Sequence, residues 1–135
     1  MQNTSLKSIS QGFNIKSIKI DECVLGEKME IGITSIQRDR NPYIIEWIAF
    51  HLCVGFNRLY IYAHQSNDGM SETLHHIAQH YPVYVKDTDA SVSQHDAYTD
   101  SIHQHLPEVD WMAYIDGNDF LFPVRHANIK DALML

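Results

Sequence analysis

Positive charge is scarce in this chain: 10 Lys and Arg stand against 17 Asp and Glu, a formal charge of −7 at pH 7. Nucleic-acid affinity comes mostly from Lys and Arg neutralising phosphates, so a nucleic-acid partner is disfavoured. A divalent cation would be welcome in the same field. Cysteine is nearly absent. Cys23 and Cys53 are far apart, form no metal or redox spacing, and are read as reduced thiols of a cytosolic protein. No apolar run is long enough to span a bilayer, because the most apolar stretch, YIIEWIAFHLCVGF, is broken by Glu46 and His51. The N-terminus has no apolar core of signal-peptide length. The expectation is a soluble cytoplasmic protein with no transmembrane segment and at most a peripheral association with a membrane. Also missing are internal repeats, low-complexity tracts and the G-x-G-x-x-G of a dinucleotide oxidoreductase. A signalling receiver domain needs an acidic pair after its first strand, where this chain has Gln37 and Arg38.

What remains describes one globular domain: 135 residues, 44% hydrophobic and 20% charged. Residues 1–28 read as a polar N-terminal tail with an extra strand at 15–21, and 29–135 as the domain. The alternation of residues 30–37 predicts a strand, followed by a helix with Asn41 as N-cap, Pro42 in its first turn and Gly55 closing it. Ile44, Ile45, Ile48 and Leu52 are expected on the inward face of that helix. Further strands are predicted at 58–64, 82–87 and 109–116, with helices at about 70–80 and 94–106. Strands alternating with helices imply βαβ units, hence an α/β fold with a mainly parallel sheet flanked by helices. In such sheets ligands bind beyond the carboxyl ends of the strands. The loops Gln37–Arg40, Ala63–Asn67 and Asp87–Asp89 are expected to converge there on Asp116-Gly117-Asn118-Asp119.

Four segments carry a family pattern. RDRNPYIIEWIAFHLCVGFNRLYIY contains Pro42, Tyr43, Glu46, Trp47, His51, Gly55 and Tyr62; AHQSNDGM contains Ser66, Asp68 and Gly69. Gln94, Ala97 and Tyr98 form a Gln-x-x-Ala-Tyr segment, and DGNDFLFP follows the last strand. Over roughly residues 30–125 the chain resembles the nucleotide-sugar-binding half of a GT-A (Rossmann-like) glycosyltransferase, in the family-2-like branch close to family 92. The resemblance implies sugar transfer from a nucleotide-diphosphate donor to a glycan or lipid-linked acceptor, assisted by Mn2+ or Mg2+. It places Gln37, Arg38, Gln94 and Asp116 at the donor, and Asp116, Asn118 and Asp119 at the metal. Asn118 stands where the family has the second aspartate of Asp-x-Asp; it keeps a carbonyl oxygen but loses charge, so metal affinity should fall. Members of this fold carry an acceptor half after that loop, and the chain ends at Leu135 before such a half could begin. The expectation is a truncated domain that lacks turnover by itself. The alternative is a nucleotide-sugar-binding remnant or interaction domain without catalysis.

The bland readings stand beside these. Asp, Gly and Asn are the residues turns favour. An EF-hand fails because Phe120 and Leu121 occupy places that need an oxygen ligand and a glycine. Arg38 is equally suited to pairing with Asp39 or Glu46. The segment Ser66–Gly69 reads as a helix cap whose amides could approach an anion. His76 and His80 are read as helix surface, while Trp47, Trp111 and Tyr98 are read as core.

Overall fold

A computed structural model describes residues 29–134. The tail and the strand expected at 15–21 lie outside them. In order, the elements are β1 (Ile31–Gln37), α1 (Asn41–Cys53), β2 (Arg58–His64), α2 (Met70–Ala78), β3 (Val83–Thr88), α3 (Gln94–Gln104), a 3-10 turn (Leu106–Glu108), β4 (Trp111–Tyr114) and α4 (Ile129–Leu133). The four strands form one parallel sheet in the order β3-β2-β1-β4, with Gln37 level with Ala63 and Thr34 level with Tyr114. The predicted α/β class with a mainly parallel, helix-flanked sheet is the one observed. No helix among the described residues is long and apolar enough to cross a membrane.

Period-two alternation divides the two faces of the sheet. Ile31, Ile33, Leu59, Ile61 and Val83 join Ile44, Trp47 and Ile48 of α1 and Met70 and Leu74 of α2 in the core. The alternate residues meet α3 on the other face. Thr34 Oγ1 and Ser101 Oγ lie 2.6 Å apart in the buried layer, and Tyr62 OH donates to Asp100 at 2.7 Å. Ala97 and Ser101, the two buried residues of α3, are small enough to bring the helix onto β1. Its start is sealed by a capping box between Ser93 and Asp96.

Several residues depart from expectation. Ile45 is 61% exposed, because α1 turns Ile44, Trp47, Ile48 and His51 inward and an adjacent residue points about 100° away. Trp111 is 51% exposed on the edge strand β4. Tyr98 is only half-buried. Asn41 is the first helical residue and not the cap. The acceptor for its amide comes from another loop: Asp68 Oδ2 accepts from Asn41 N at 2.8 Å, while Asp68 Oδ1 accepts from Met70 N at 3.0 Å. One carboxylate thus serves the opening turns of both α1 and α2. The same two loops are stitched further by Asp39 N donating to Ser66 Oγ at 2.9 Å and Asn67 N donating to Asp39 Oδ1 at 2.7 Å. Asp68→Ala is expected to lower stability by about 1–3 kcal/mol, since two helix-opening amides lose their acceptor. Urea titration reads this, and a loss below roughly 0.5 kcal/mol would deny the double cap.

Helix α1 ends in a Schellman motif. Gly55, at φ +114°, donates from N to Leu52 O at 3.2 Å, and Phe56 N donates to His51 O at 3.1 Å.

Candidate functional site

The strand order reverses between β1 and β4, since the chain moves outward through β2 and β3 and then returns to the other side of β1. This switch point is where an open parallel sheet leaves a crevice. Asp116-Gly117-Asn118-Asp119 stands there as a β-turn, with Asp119 N donating to Asp116 O at 3.1 Å. The turn's two carboxylates belong to its first and last residues, and Asp116, Asn118 and Asp119 are all exposed. Gly117 is buried against Gln37: a Cβ added there would lie 2.6 Å from Gln37 Cδ and Oε1. Absence of a side chain at 117 is therefore what admits Gln37 beneath the turn.

Helix α3 holds the turn from its open side. Gln94 Nε2 donates to Asp116 Oδ1 at 3.0 Å and to Tyr98 OH at 3.1 Å, and Tyr98 OH donates to Ile115 O at 3.4 Å. Burial pushes the Tyr98 phenol up, the Gln94 bond opposes the rise, and the charges of Asp116 and Asp119 add to it. Gln94 and Tyr98 lie one helical turn apart, which is why this segment reaches the site as a unit.

Helix α1 holds the same segment from behind. Trp47 Nε1 donates to Asp119 O at 2.8 Å, and Leu121 N donates to His51 Nε2 at 3.1 Å. His51 is fully buried, and burial lowers its pKa against the raising effect of its bond to Trp47 O.

Of the residues expected at the donor, Gln37, Gln94 and Asp116 are brought together. Arg38 is exposed and pairs with Asp39, Nε to Oδ2 at 3.7 Å. Asp87 does not converge on the turn, because β3 and β4 are opposite edges of the sheet. It bonds instead to Ser71 Oγ at 2.6 Å and His75 Nε2 at 2.7 Å, and the Ser71 hydroxyl chiefly holds its carboxyl below the usual range.

Further polar groups lie at or near the strand ends; Gln37, Arg40 and His64 fall within the loops expected there, and Tyr114 does not. Among the described residues, four buried side-chain atoms have no hydrogen-bond partner: Gln37 Oε1, Arg40 Nε, His64 Nε2 and Tyr114 OH. Gln37, His64 and Tyr114 end β1, β2 and β4, and Arg40 follows β1. Buried polar groups are ordinarily paired, and Gln37 Oε1, directly beneath the turn, is the unpaired atom nearest it; Tyr114 is level with Thr34, lower on the sheet and on its α3 face. Gln37 is 3% exposed, and its amide nitrogen already donates to Ser35 Oγ at 3.1 Å. The Arg40 guanidinium lies 4.9 Å from the Tyr43 ring centroid. The available signal was positional, since each is the last residue of a strand or the loop just beyond.

Among the described residues no three His, Cys, Asp or Glu side chains converge as a metal cluster. The turn offers two carboxylates and the amide oxygen of Asn118. Mg2+ is commonly held by one or two carboxylates with water and phosphate completing its shell, so this hard-oxygen set suits a cation that arrives with a phosphate ligand.

The family model of glycosyltransferase family 92 matches residues 33–134. A glycosyltransferase family 92 protein of Arabidopsis thaliana is 25% identical over 129 residues, which cover 90% of this chain and 21% of its own. One from Ricinus communis is 24% identical across 73% of this chain and 17% of its own. One from Oryza sativa is 24% identical across 75% of this chain and 18% of its own. The chain spans about a fifth of the length of these curated relatives. No solved structure matches it significantly.

Proposed function

Since the chain belongs to glycosyltransferase family 92, we propose that its described part holds a nucleotide-diphosphate sugar and a divalent cation for transfer of the sugar to a glycan or lipid-linked acceptor. The reaction is nucleophilic displacement at the anomeric carbon. An acceptor oxygen bonds to that carbon, the bond to the diphosphate oxygen breaks, and the electron pair leaves with the nucleoside diphosphate. Charge growing on that leaving group is what a site of this kind has to stabilise. Asp116 and Asp119, with Asn118, would hold Mn2+ or Mg2+, which when bound neutralises diphosphate oxygens. Gln94 would fix Asp116 through its bond to Oδ1, and Gln37 would meet the nucleotide from beneath the turn. No residue of this chain is assigned the acceptor's proton. The observation that supports the reading most is the Asp116–Asp119 turn at the β1/β4 switch point, seated on a buried Gln37 oxygen that lacks a partner.

Binding without transfer is a second reading, favoured by the neutral Asn118 in the turn. Thermal shift with a panel of nucleotide sugars, with and without Mn2+, tests the first. The expected result is stabilisation by one nucleotide class only when metal is present, about 2.7 kcal/mol at a hundredfold excess over Kd. In Asp116→Asn the affinity should fall by about tenfold or more. Stabilisation equal with and without metal, or none with any donor, overturns the metal-assisted reading. Metal-dependent binding with no hydrolysis or transfer selects the second one.

A further inference from the structure

His51 is fully buried, yet both of its ring nitrogens are engaged by main chain. Nδ1 lies 2.9 Å from Trp47 O, and Nε2 lies 3.1 Å from Leu121 N. A carbonyl can only accept and a backbone amide can only donate, so the ring must be neutral with its proton on Nδ1. Four aromatic rings surround it: Trp47 at 4.5 Å, Phe50 at 5.2 Å, Phe56 at 5.7 Å and Phe120, nearly parallel, at 5.6 Å between centroids. An apolar side chain would fill this space. What only a polar ring supplies here is a bond to the segment that follows the Asp116–Asp119 turn.

Resting on the donor-site reading above, we infer that His51 is a positioning residue, acting with Trp47 to set the two carboxylates of the turn for the cation and diphosphate. The residues are one helical turn apart on α1 and grip successive points of one strand of chain. Trp47 takes the Asp119 carbonyl, His51 takes the Leu121 amide, and the Phe120 ring between them stacks on His51. The Asp119 amide in turn closes onto Asp116 O. A continuous series of bonds thus runs from the buried face of a helix to the exposed Asp116. Left alone, a turn of Asp, Gly and Asn would sample many conformations, and ordering it at the moment of binding would weaken affinity. The helix has ordered it beforehand.

The test compares the wild-type chain with His51→Phe, which keeps a ring but no nitrogen, and Trp47→Phe, which removes the bond to Asp119 together with part of the ring's packing. Amide hydrogen exchange and the Kd for UDP with Mn2+ are measured on each. In His51→Phe the Leu121 amide should lose its protection while amides of β1 and β2 keep theirs, and the Kd should rise roughly tenfold. Trp47→Phe should raise Kd in the same direction. An unchanged Kd in a variant whose Leu121 amide has become exposed overturns the positioning role. Nitrogen-15 shifts of wild-type His51 add an arm that needs no variant to fold, because a proton found on Nε2 also overturns it. Should the wild type bind no UDP, the donor reading fails, and exchange at Leu121 decides alone whether His51 orders the turn.

Discussion

Trp47→Ala is expected to lower the free energy of unfolding by about 3–5 kcal/mol, whereas Trp111→Ala should cost less than about 1 kcal/mol. Trp47 is 1% exposed within the core shared by β1, β2, α1 and α2, so truncation opens a cavity that its neighbours only partly fill. It also strips the Asp119 carbonyl of its indole donor. Trp111 begins an edge strand and is half in water, so little contact is lost with it. Urea or guanidinium titration of the two variants side by side reads the difference. Equal losses would mean that the two indoles share one environment, contrary to the packing described.

Gly55→Val should come next in size, at about 2–4 kcal/mol by the same titration. Two causes add. Gly55 sits at φ +114°, where a β-branched residue is strongly strained. A Cβ there would also lie 2.7 Å from Asn128 Cγ, and Asn128 caps α4 by accepting from Lys130 N at 2.8 Å. The adjoining Ile129 N donates to Val54 O at 2.7 Å, so displacing Asn128 also loosens α4 from the end of α1. Gly69→Ala is the control. Its φ is +89° but the nearest atom to an added Cβ, Asn41 Nδ2, is 3.4 Å away, so only the backbone term applies, roughly 1 kcal/mol. If Gly55→Val costs no more than Gly69→Ala, the contact with Asn128 is not what fixes that corner.

The parts of the fold legible in the sequence were those governed by local period. RLYIYAH is a short apolar and aromatic run, and the strand occupies Arg58–His64 as expected, buried on both faces. Pro42 marked the first turn of α1 and Gly55 its close through chemistry confined to a few residues. What failed depended on partners distant in sequence. Whether Trp111 is covered depends on which strand lies beside β4, and among the described residues only β1 does. Ile45 continues an apolar run but is rotated away from the face that Trp47 and His51 select. At the site, Asp116, Gln94 and Gln37 could be nominated because each falls at the C-terminal side of a strand or at the start of the following helix. Their actual link could not. The bond from Gln94 to Asp116 spans 22 residues, and that from His51 to Leu121 spans 70. Nothing within either segment signals the other. Asp68 shows the same limit, since its capping of its own helix was readable and its service to Asn41 was not.

That shared carboxylate has a wider consequence. The positive ends of α1 and α2 are the places where a parallel α/β domain most readily grips phosphate through its main chain. Here an aspartate of the chain itself already occupies both, as a built-in counter-anion. On the proposed reading, a pyrophosphate therefore finds its charge balanced chiefly by the cation it carries, and the domain discriminates between metal-loaded and bare nucleotide more sharply than one with open helix ends would.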